Sequence, residues 1–459
     1  KNLFLKNLYS GQWSGTMLLT EPEAGSDVGA LTTTAVKNDD GTYSLSGTKI
    51  FISGGEHPLT ENIIHPTLAR IEGAPPGTSG ISLFLVPKYW VNEDGSLGEF
   101  NDVVCSGVEE KMGIHGSCTC TMSLGSKGKC RGLLLGQKNK GMREMFLMMN
   151  EARLLVGMQG LACASASYMN GLNYARERIQ GRHLLKVADK SAPGVPIIQH
   201  PDVRRMLLSM KAYVEGMRSL IYYVGYCEDL KELAESEKEK MKYQGIIDVL
   251  IPISKGYVTD RSFDVCNTGV QIFGGYGYTK EYPQEQLLRD CRITMIYEGT
   301  NGIQAMDLLG RKLGMNKGQA IMDLMGEIQK TIGRAKEIET LSGEALEVEK
   351  ALNKLGEVAM DLGGKAMSEE VLKAFAHACP FMDCCGDVIM AWMLLWRASV
   401  AAEKLEKAKK KDKPFYQGQI KNLQFFVHTV LPVALGRMDA VLKTSGAAVE
   451  IEEEAFGSK

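Results

Sequence analysis

Of all the residues in this chain, Glu298 has the type and setting best suited to moving a proton. It stands in Tyr297-Glu298-Gly299-Thr300, where the following glycine lets backbone come close to a ligand. A carboxylate drawn out of water holds its proton more tightly and becomes a stronger base. Without further context the same residue reads as a carboxylate at a helix start, stabilised by the helix dipole. The other generic signatures are weaker. Phe273-Gly274-Gly275-Tyr276-Gly277 is glycine-rich and, alone, describes a tight turn between helices. Ser46-Gly47-Thr48-Lys49 matches SxxK, but it falls in an apparent strand without companion motifs and is read as chance. No GxGxxG follows a strand and no GxxxxGKS/T occurs, so a dinucleotide site of the Rossmann kind is unsupported. The seven histidines contain no HExxH, and the 11 cysteines lack paired zinc spacing. No metal site is expected, and the thiols are expected to be reduced and mostly buried.

Residues 1 to about 135 read as β. Thr42 to Gly47 alternates after the turn Asp39-Asp40-Gly41, and Lys49 to Ile52 follows. Further β-rich runs lie at Ile63 to Ile71 and Ile81 to Val86, separated by Ala74-Pro75-Pro76-Gly77, which predicts a small barrel or sandwich. From Gly141 the period becomes helical and runs to Arg178. His200 to Leu230 and Ile246 to Thr268 read as two more long helices of a bundle, with a loop from Arg182 to Ile198. Four helices are then predicted at Gly318 to Lys330, Leu341 to Leu362, Val388 to Lys407 and Gln417 to Leu442. Gly363-Gly364, Cys379-Pro380 and Lys413-Pro414 lie between them. The basic run Lys404 to Lys413 reads as a solvated helix end.

Three separated segments, taken together, resemble the acyl-CoA dehydrogenase family. They are Leu19-Thr20-Glu21-Pro22-Glu23-Ala24-Gly25-Ser26-Asp27, Gln271 to Tyr278 with Glu281-Tyr282-Pro283 and Arg289-Asp290, and Ile296-Tyr297-Glu298-Gly299-Thr300-Asn301-Gly302-Ile303-Gln304. Lys111 to Ile114 and Gly136 to Gly141 look like the family's intervening segments. The resemblance covers roughly residues 10 to 313. Phe51-Ile52-Ser53, Gly55-Glu56-His57, Leu59 to His65, Asn92 to Gly98, Met148-Met149-Asn150 and Arg176 to Arg182 match more closely a large subgroup with an added C-terminal helical domain. Substrates of that subgroup include 3-methylmercaptopropionyl-CoA.

The resemblance implies an α+β chain in three parts. They are a middle β-barrel or sandwich domain at 1–137, a helical bundle carrying the base at 138–315, and an additional C-terminal helical domain at 316–459. The family's N-terminal helical domain is not represented before Lys1, so a separate N-terminal helical piece or a cleaved segment is expected to supply it. The implied reaction is FAD-dependent α,β-dehydrogenation of an acyl-CoA thioester to the trans-2-enoyl-CoA, with electrons passed to electron-transfer flavoprotein. An acyl-CoA oxidase, or a non-catalytic fragment that binds a partner, are the competing readings.

By the same resemblance Glu298 is the catalytic base, and the Gly299 backbone lies against the substrate. Some members instead carry the base just before an arginine of the first bundle helix. Here that arginine is Arg153 and Ala152 precedes it, which cannot take a proton, while Glu151 is about 100° further round the helix. Asn150 and Arg153 resemble the residues that hold CoA, although a surface ion-pair role for Arg153 is the plainer alternative. Thr20 and Ser53 match hydroxyls that bond the flavin edge, Phe51 lies against its ring, and Ser26 is near the CoA arm. Arg178 matches the arginine that serves the pyrophosphate. Gln271, Gly274 and Gly275 match a segment supplied across a subunit interface, which implies a homodimer or homotetramer. Thr300, Asn301 and Gly302 match the last flavin-contacting stretch. Two departures from the common pattern stand out: Ala305 where an arginine is usual, and a segment one residue shorter after Arg178.

The bulk properties agree with a globular enzyme. Hydrophobic residues are 44% and charged residues 24%, which argues against disorder. A formal net charge of -2 offers no nucleic-acid surface. No apolar run approaches the ~20 residues of a membrane span, and Lys1 to Ser10 lack a signal-peptide core. A cytoplasmic location is therefore expected.

Overall fold

The computed structural model describes residues 2–457. Lys1, to which the expectation about the start of the chain attaches, lies outside them, as do the last two residues of the expected third domain. The chain divides into two compact units, Lys1–Glu151 and Ala152–Lys459.

The first unit opens with α1 (Asn2–Tyr9), where the sequence pattern predicts only β. Ten strands follow: β1 (Trp13–Gly15), β2 (Thr34–Lys37), β3 (Tyr43–Ser53), β4 (Asn62–Ile71), β5 (Ile81–Pro87), β6 (Tyr89–Val91), β7 (Leu97–Phe100), β8 (Val103–Val108), β9 (Thr119–Leu124) and β10 (Arg131–Leu135). The pairings β4–β5, β5–β10, β10–β3, β3–β2 and β2–β4 return to their starting strand, so the sheet closes as a small barrel. Closure removes the exposed edges that an open sheet of this size would present. β9 and β8 extend from the second half of β3. β9 buries alternate residues, as a strand with one face on a core must. Leu18, Leu45, Ile52, Phe84, Met122 and Leu124 fill that core.

The first turns of α2 (Gly141–Glu177) belong to this unit. Met145 and Met149 are buried with Ala24, Leu68 and Leu83, and a Cβ on Gly141 would meet the Ser82 backbone at 2.5 Å. The compact unit therefore ends later than the expected boundary at 137.

The second unit continues α2 and adds a short hairpin, β11 (Ile179–Arg182) with β12 (Gly194–Pro196), whose second strand falls inside the expected loop. Then come α3 (Pro201–Leu233), α4 (Glu237–Phe273), α5 (Gln284–Arg292) and α6 (Asn301–Asp307). α4 runs well past its expected ends and carries Pro252 in its interior, a residue that normally breaks the hydrogen-bond ladder. After it lie α7 (Gln319–Lys336), α8 (Ser342–Ala366), α9 (Val371–Ala376), α10 (Ala378–Leu405), α11 (Lys413–Phe425) and α12 (Leu431–Leu442), the last two joined by a π-turn. α10 starts ten residues before its expected position. Pro380 falls in its first turn, where the missing N–H costs nothing.

No separate core marks the residues after 315. Leu220, Val224, Leu250 and Tyr257 of the bundle share one apolar cluster with Leu324, Ile328, Val388, Trp392 and Phe426. α10 packs against α3, α4, α6, α7, α8, α11 and α12. Among the described residues, two helices, Ala378–Leu405 and Lys413–Leu442, reach the length and apolar composition of a membrane span. The first is mostly buried in this core. The second docks partly through polar side chains: Asn422 Nδ2 donates to Glu215 Oε2 at 2.9 Å, and Arg437 meets Asp387 at 2.9 Å.

Candidate active site

The turn between α5 and α6 carries the candidate base. Glu298 has φ +57 and Gly299 φ +82, so two successive residues occupy the left-handed region. For a glutamate that conformation costs of order 1–3 kcal/mol and persists only where the surroundings impose it. Thr300 caps α6 by accepting a hydrogen bond from the Ile303 amide at 3.3 Å. Gln304, fully buried one turn on, donates through Nε2 to the carbonyls of Glu298 and Gly299, both at 3.4 Å. A Cβ on Gly299 would sit 2.8 Å from that Nε2 and 3.8 Å from Arg153 Nη2, so the glycine is needed for space as well as for φ.

Glu298 is half-buried. Among the described residues its carboxylate accepts no hydrogen bond and forms no ion pair within 4 Å. Burial raises its proton affinity above the ordinary carboxylate range, and the charges of Arg153 and Lys255 offset this only in part. Arg153 is buried, with its side chain 8% exposed and Asp307 3.9 Å away. Its ion pair is therefore a buried one and not on the surface. Glu151 is exposed on the same helix, as its angular offset predicts, and Asn150 is half-buried in the first unit. Tyr297 hydroxyl donates to Gln159 of α2, anchoring the other side of the turn.

Beneath the turn lies a network that motif reading passed over. Asn301, the first residue of α6, accepts from Lys255 Nζ at 2.8 Å and donates to Gly256 O at 3.0 Å and Asp260 Oδ1 at 2.8 Å. Its side chain is thus committed inward, leaving only its backbone for a cofactor. Lys255 has no exposed surface. The signal for it was available: a single cation inside the apolar run Ile246 to Val258, where an unpartnered charge is costly.

In the first unit, Thr20 O accepts from the Ile50 amide at 2.9 Å, which seats Thr20 beside β3 next to Phe51. Phe51 has φ +61 and is 60% exposed, at the point where the β3–β9 register shifts. A bulky aromatic that is both strained and exposed marks a ligand-facing position. Ser53 at the end of β3 and Ser26 in the loop before Asp27 are exposed. The loop is held by Glu21. Its carboxylate accepts from Lys49 Nζ at 2.8 Å, Thr32 Oγ1 at 2.7 Å and Thr33 Oγ1 at 2.6 Å. Burial alone would raise Glu21, but Lys49 and these hydrogen bonds outweigh it and bring it down to about 2. Lys49 is therefore a structural ion.

In the second unit, Arg178, Gly274 and Gly275 line one cavity of about 430 Å3 with Tyr174 and Tyr276. The guanidinium lies 5.5 Å over the Tyr276 ring. Nothing lies within 4 Å of a Cβ built on either glycine, so the cradle is open. Gln271 does not join it; it lines a neighbouring cavity of about 250 Å3 with Arg205 and Ser209.

The family signature described as "Acyl-CoA dehydrogenase, middle domain" matches residues 16–126, and "Acyl-CoA dehydrogenase, C-terminal domain" matches residues 139–313. A third, "Acetyl-CoA dehydrogenase C-terminal like", matches residues 324–452. The chain is 38% identical to a butyryl-CoA dehydrogenase of Syntrophomonas wolfei, over 99% of its own length and 75% of the relative's. The chain belongs to the acyl-CoA dehydrogenase family. It is also 41% identical to the 3-methylmercaptopropionyl-CoA dehydrogenase of Ruegeria pomeroyi, over 94% of this chain and 72% of that one. Among solved structures, an acyl-CoA dehydrogenase of Bacillus anthracis complexed with FAD superposes with a TM-score of 0.75 at 25% identity, covering 98% of this chain and 72% of that chain. With membership come the FAD cofactor and dehydrogenation of acyl-CoA thioesters. The residues present fit a flavin: a strained, exposed aromatic with hydroxyls about it in one unit, and an arginine above an open glycine cradle in the other.

Proposed function

We propose that Glu298 removes the α-proton of a short or medium acyl-CoA thioester, such as butyryl-CoA or 3-methylmercaptopropionyl-CoA, giving the trans-2-enoyl-CoA. The observation that carries this is the Glu298 carboxylate itself: half-buried, strained, raised in proton affinity and accepting no hydrogen bond among the described residues. A carboxylate already bonded on every lone pair would have no site for the incoming proton; this one does. Bound FAD supplies the hydride acceptor. Gln304 fixes the carbonyls on both sides of the Glu298–Gly299 peptide, so the carboxylate is carried on a rigid turn. Arg153 offers a buried cation for the thioester's CoA portion and steadies the ionised base. Asn150 and Ser26 complete the CoA contacts in this reading.

Thr20, Phe51 and Ser53 hold the flavin ring, while Arg178, Thr300, Gly302 and the Asn301 backbone hold its phosphates and adenosine, with Gln271, Gly274 and Gly275 coming from a neighbouring subunit. The exposed Gly274–Gly275 segment supports a homodimer or homotetramer. Electron-transfer flavoprotein is the acceptor in this reading, and the 11 free cysteines fit a reducing, cytoplasmic compartment. The likeness to the butyryl-CoA and 3-methylmercaptopropionyl-CoA enzymes supports the chain length. The test is anaerobic titration of the FAD-loaded protein with a series of thioesters, followed by reoxidation. Bleaching by C4-sized thioesters, with turnover restored by electron-transfer flavoprotein but not by oxygen, is the expected result. Fast reoxidation by oxygen would make the protein an oxidase, and bleaching by long chains alone would displace the substrate.

A further inference from the structure

Lys255 lies in none of the sequence motifs, yet it hydrogen-bonds the first residue of α6 and its charge reaches the base. The groups around the pair come from four helices and one turn. α2 contributes Arg153. α4 contributes Lys255 and Asp260, with Arg261 and Asp264 beyond. α6 contributes Asn301 and Asp307, and the following turn contributes Arg311, paired with Asp307 at 2.8 Å. α10 contributes Asp383, which ion-pairs with Arg261 at 2.9 Å. Lys255 Nζ donates a hydrogen bond to Asn301 Oδ1 at 2.8 Å, three residues beyond Glu298. Asn301 passes that contact to Asp260 at 2.8 Å, so a lysine, an amide and a carboxylate pin the first turn of α6 from below.

The helix carrying Lys255 cannot move away. Gly256 would have a Cβ 2.6 Å from Met382 of α10 and 3.4 Å from Gln304 Cβ, and Tyr257 packs against Gly386 and donates to Asp387 Oδ1 at 2.6 Å. α4 is thus clamped between α10 and the turn that carries the base.

We propose that Lys255 is a positioning residue for Glu298, fixing its turn through Asn301 and setting by its charge the pH at which the base becomes active; this rests on Glu298 being the base. Burial brings Lys255 down to about 7, with Asp260 and Glu298 pulling it up and Arg153 pushing it further down. Its charge is therefore present at acid pH and fades above neutrality.

The test reads proton abstraction directly, as exchange of the thioester α-hydrogen for deuterium across pH in the FAD-loaded enzyme, alongside the melting temperature. In Lys255→Met and Lys255→Gln the activity limb moves to higher pH by about half a unit or more, because a neighbouring cation no longer favours the carboxylate. Gln retains a donor for Asn301, so it isolates the charge should Met fail to fold. Lys255→Arg returns the limb toward its original position. A limb unmoved in both neutral variants, with only the melting temperature lowered, overturns the proposal. Glu298→Gln run in parallel abolishes exchange. If it exchanges like the parent, the base assignment itself is wrong, which is a different failure.

Discussion

Two glutamates, each with a buried lysine for company, have opposite fates in this molecule. In the β unit, Glu21 is 3% exposed and its two oxygens take hydrogen bonds from Lys49, Thr32 and Thr33, so it is held ionised and has no lone pair to spare. In the helical unit, Glu298 feels Arg153 and Lys255 only at a distance and stays raised. Residue type does not separate the two; the separation of the opposite charge does. A cation in contact makes a carboxylate into scaffold, and one held back leaves it a base.

The sharpest way to break this comparison is Glu298→Gln. Flavin reduction by a saturating thioester should fall by about 10²–10⁴, the usual contribution of a general base, with cofactor still bound. Stopped-flow bleaching measures it, and a fall under tenfold would put the base elsewhere. Next comes Lys49→Met, which leaves Glu21 buried without its counter-ion. Denaturant unfolding should show a loss of about 3–5 kcal/mol. The corresponding change at Lys255 should cost far less, because burial already holds that amine near neutrality.

Acid sharpens the same contrast. Glu21 is depressed from 4.5 to about 2, so its contribution to stability is complete above pH 4.5 and is lost as pH falls through 2. Unfolding measured between these values should show that loss in the parent and a flatter profile in Lys49→Met. Gly299→Ala is expected to have a smaller effect than Glu298→Gln or Lys49→Met. It forces a side chain into a left-handed residue already close to Gln304, which at about 1–3 kcal/mol slows turnover roughly ten- to hundredfold. Unfolding midpoints should fall correspondingly, and an unmoved midpoint would show that the turn had rearranged to relieve the strain.

Much of this was legible in the chain itself. β4 and β5 appear within a residue or two of their expected limits, because alternation and a Pro-Pro-Gly loop are local signals. α1 was not legible: eight residues give two turns, and what holds them is Phe4 against Trp13, ring centroids 6.1 Å apart. The start of α10 was misplaced because Pro380 reads as a break, yet a first turn tolerates it. Likewise Asn301 reads as a cofactor contact by its motif, while its side chain is turned toward Lys255 and Asp260.

The sequence alone determined which groups can do chemistry: a glutamate before a glycine, hydroxyls on a β scaffold, an arginine on a long helix. Those follow from residue type and from the resemblance of the surrounding motifs to a known family. Tertiary structure decided how each behaves. Arg153, Lys255 and Glu298 are separated by about a hundred and by more than forty positions in the chain, and proton affinity depends on distance in space and on excluded water, neither of which spacing encodes.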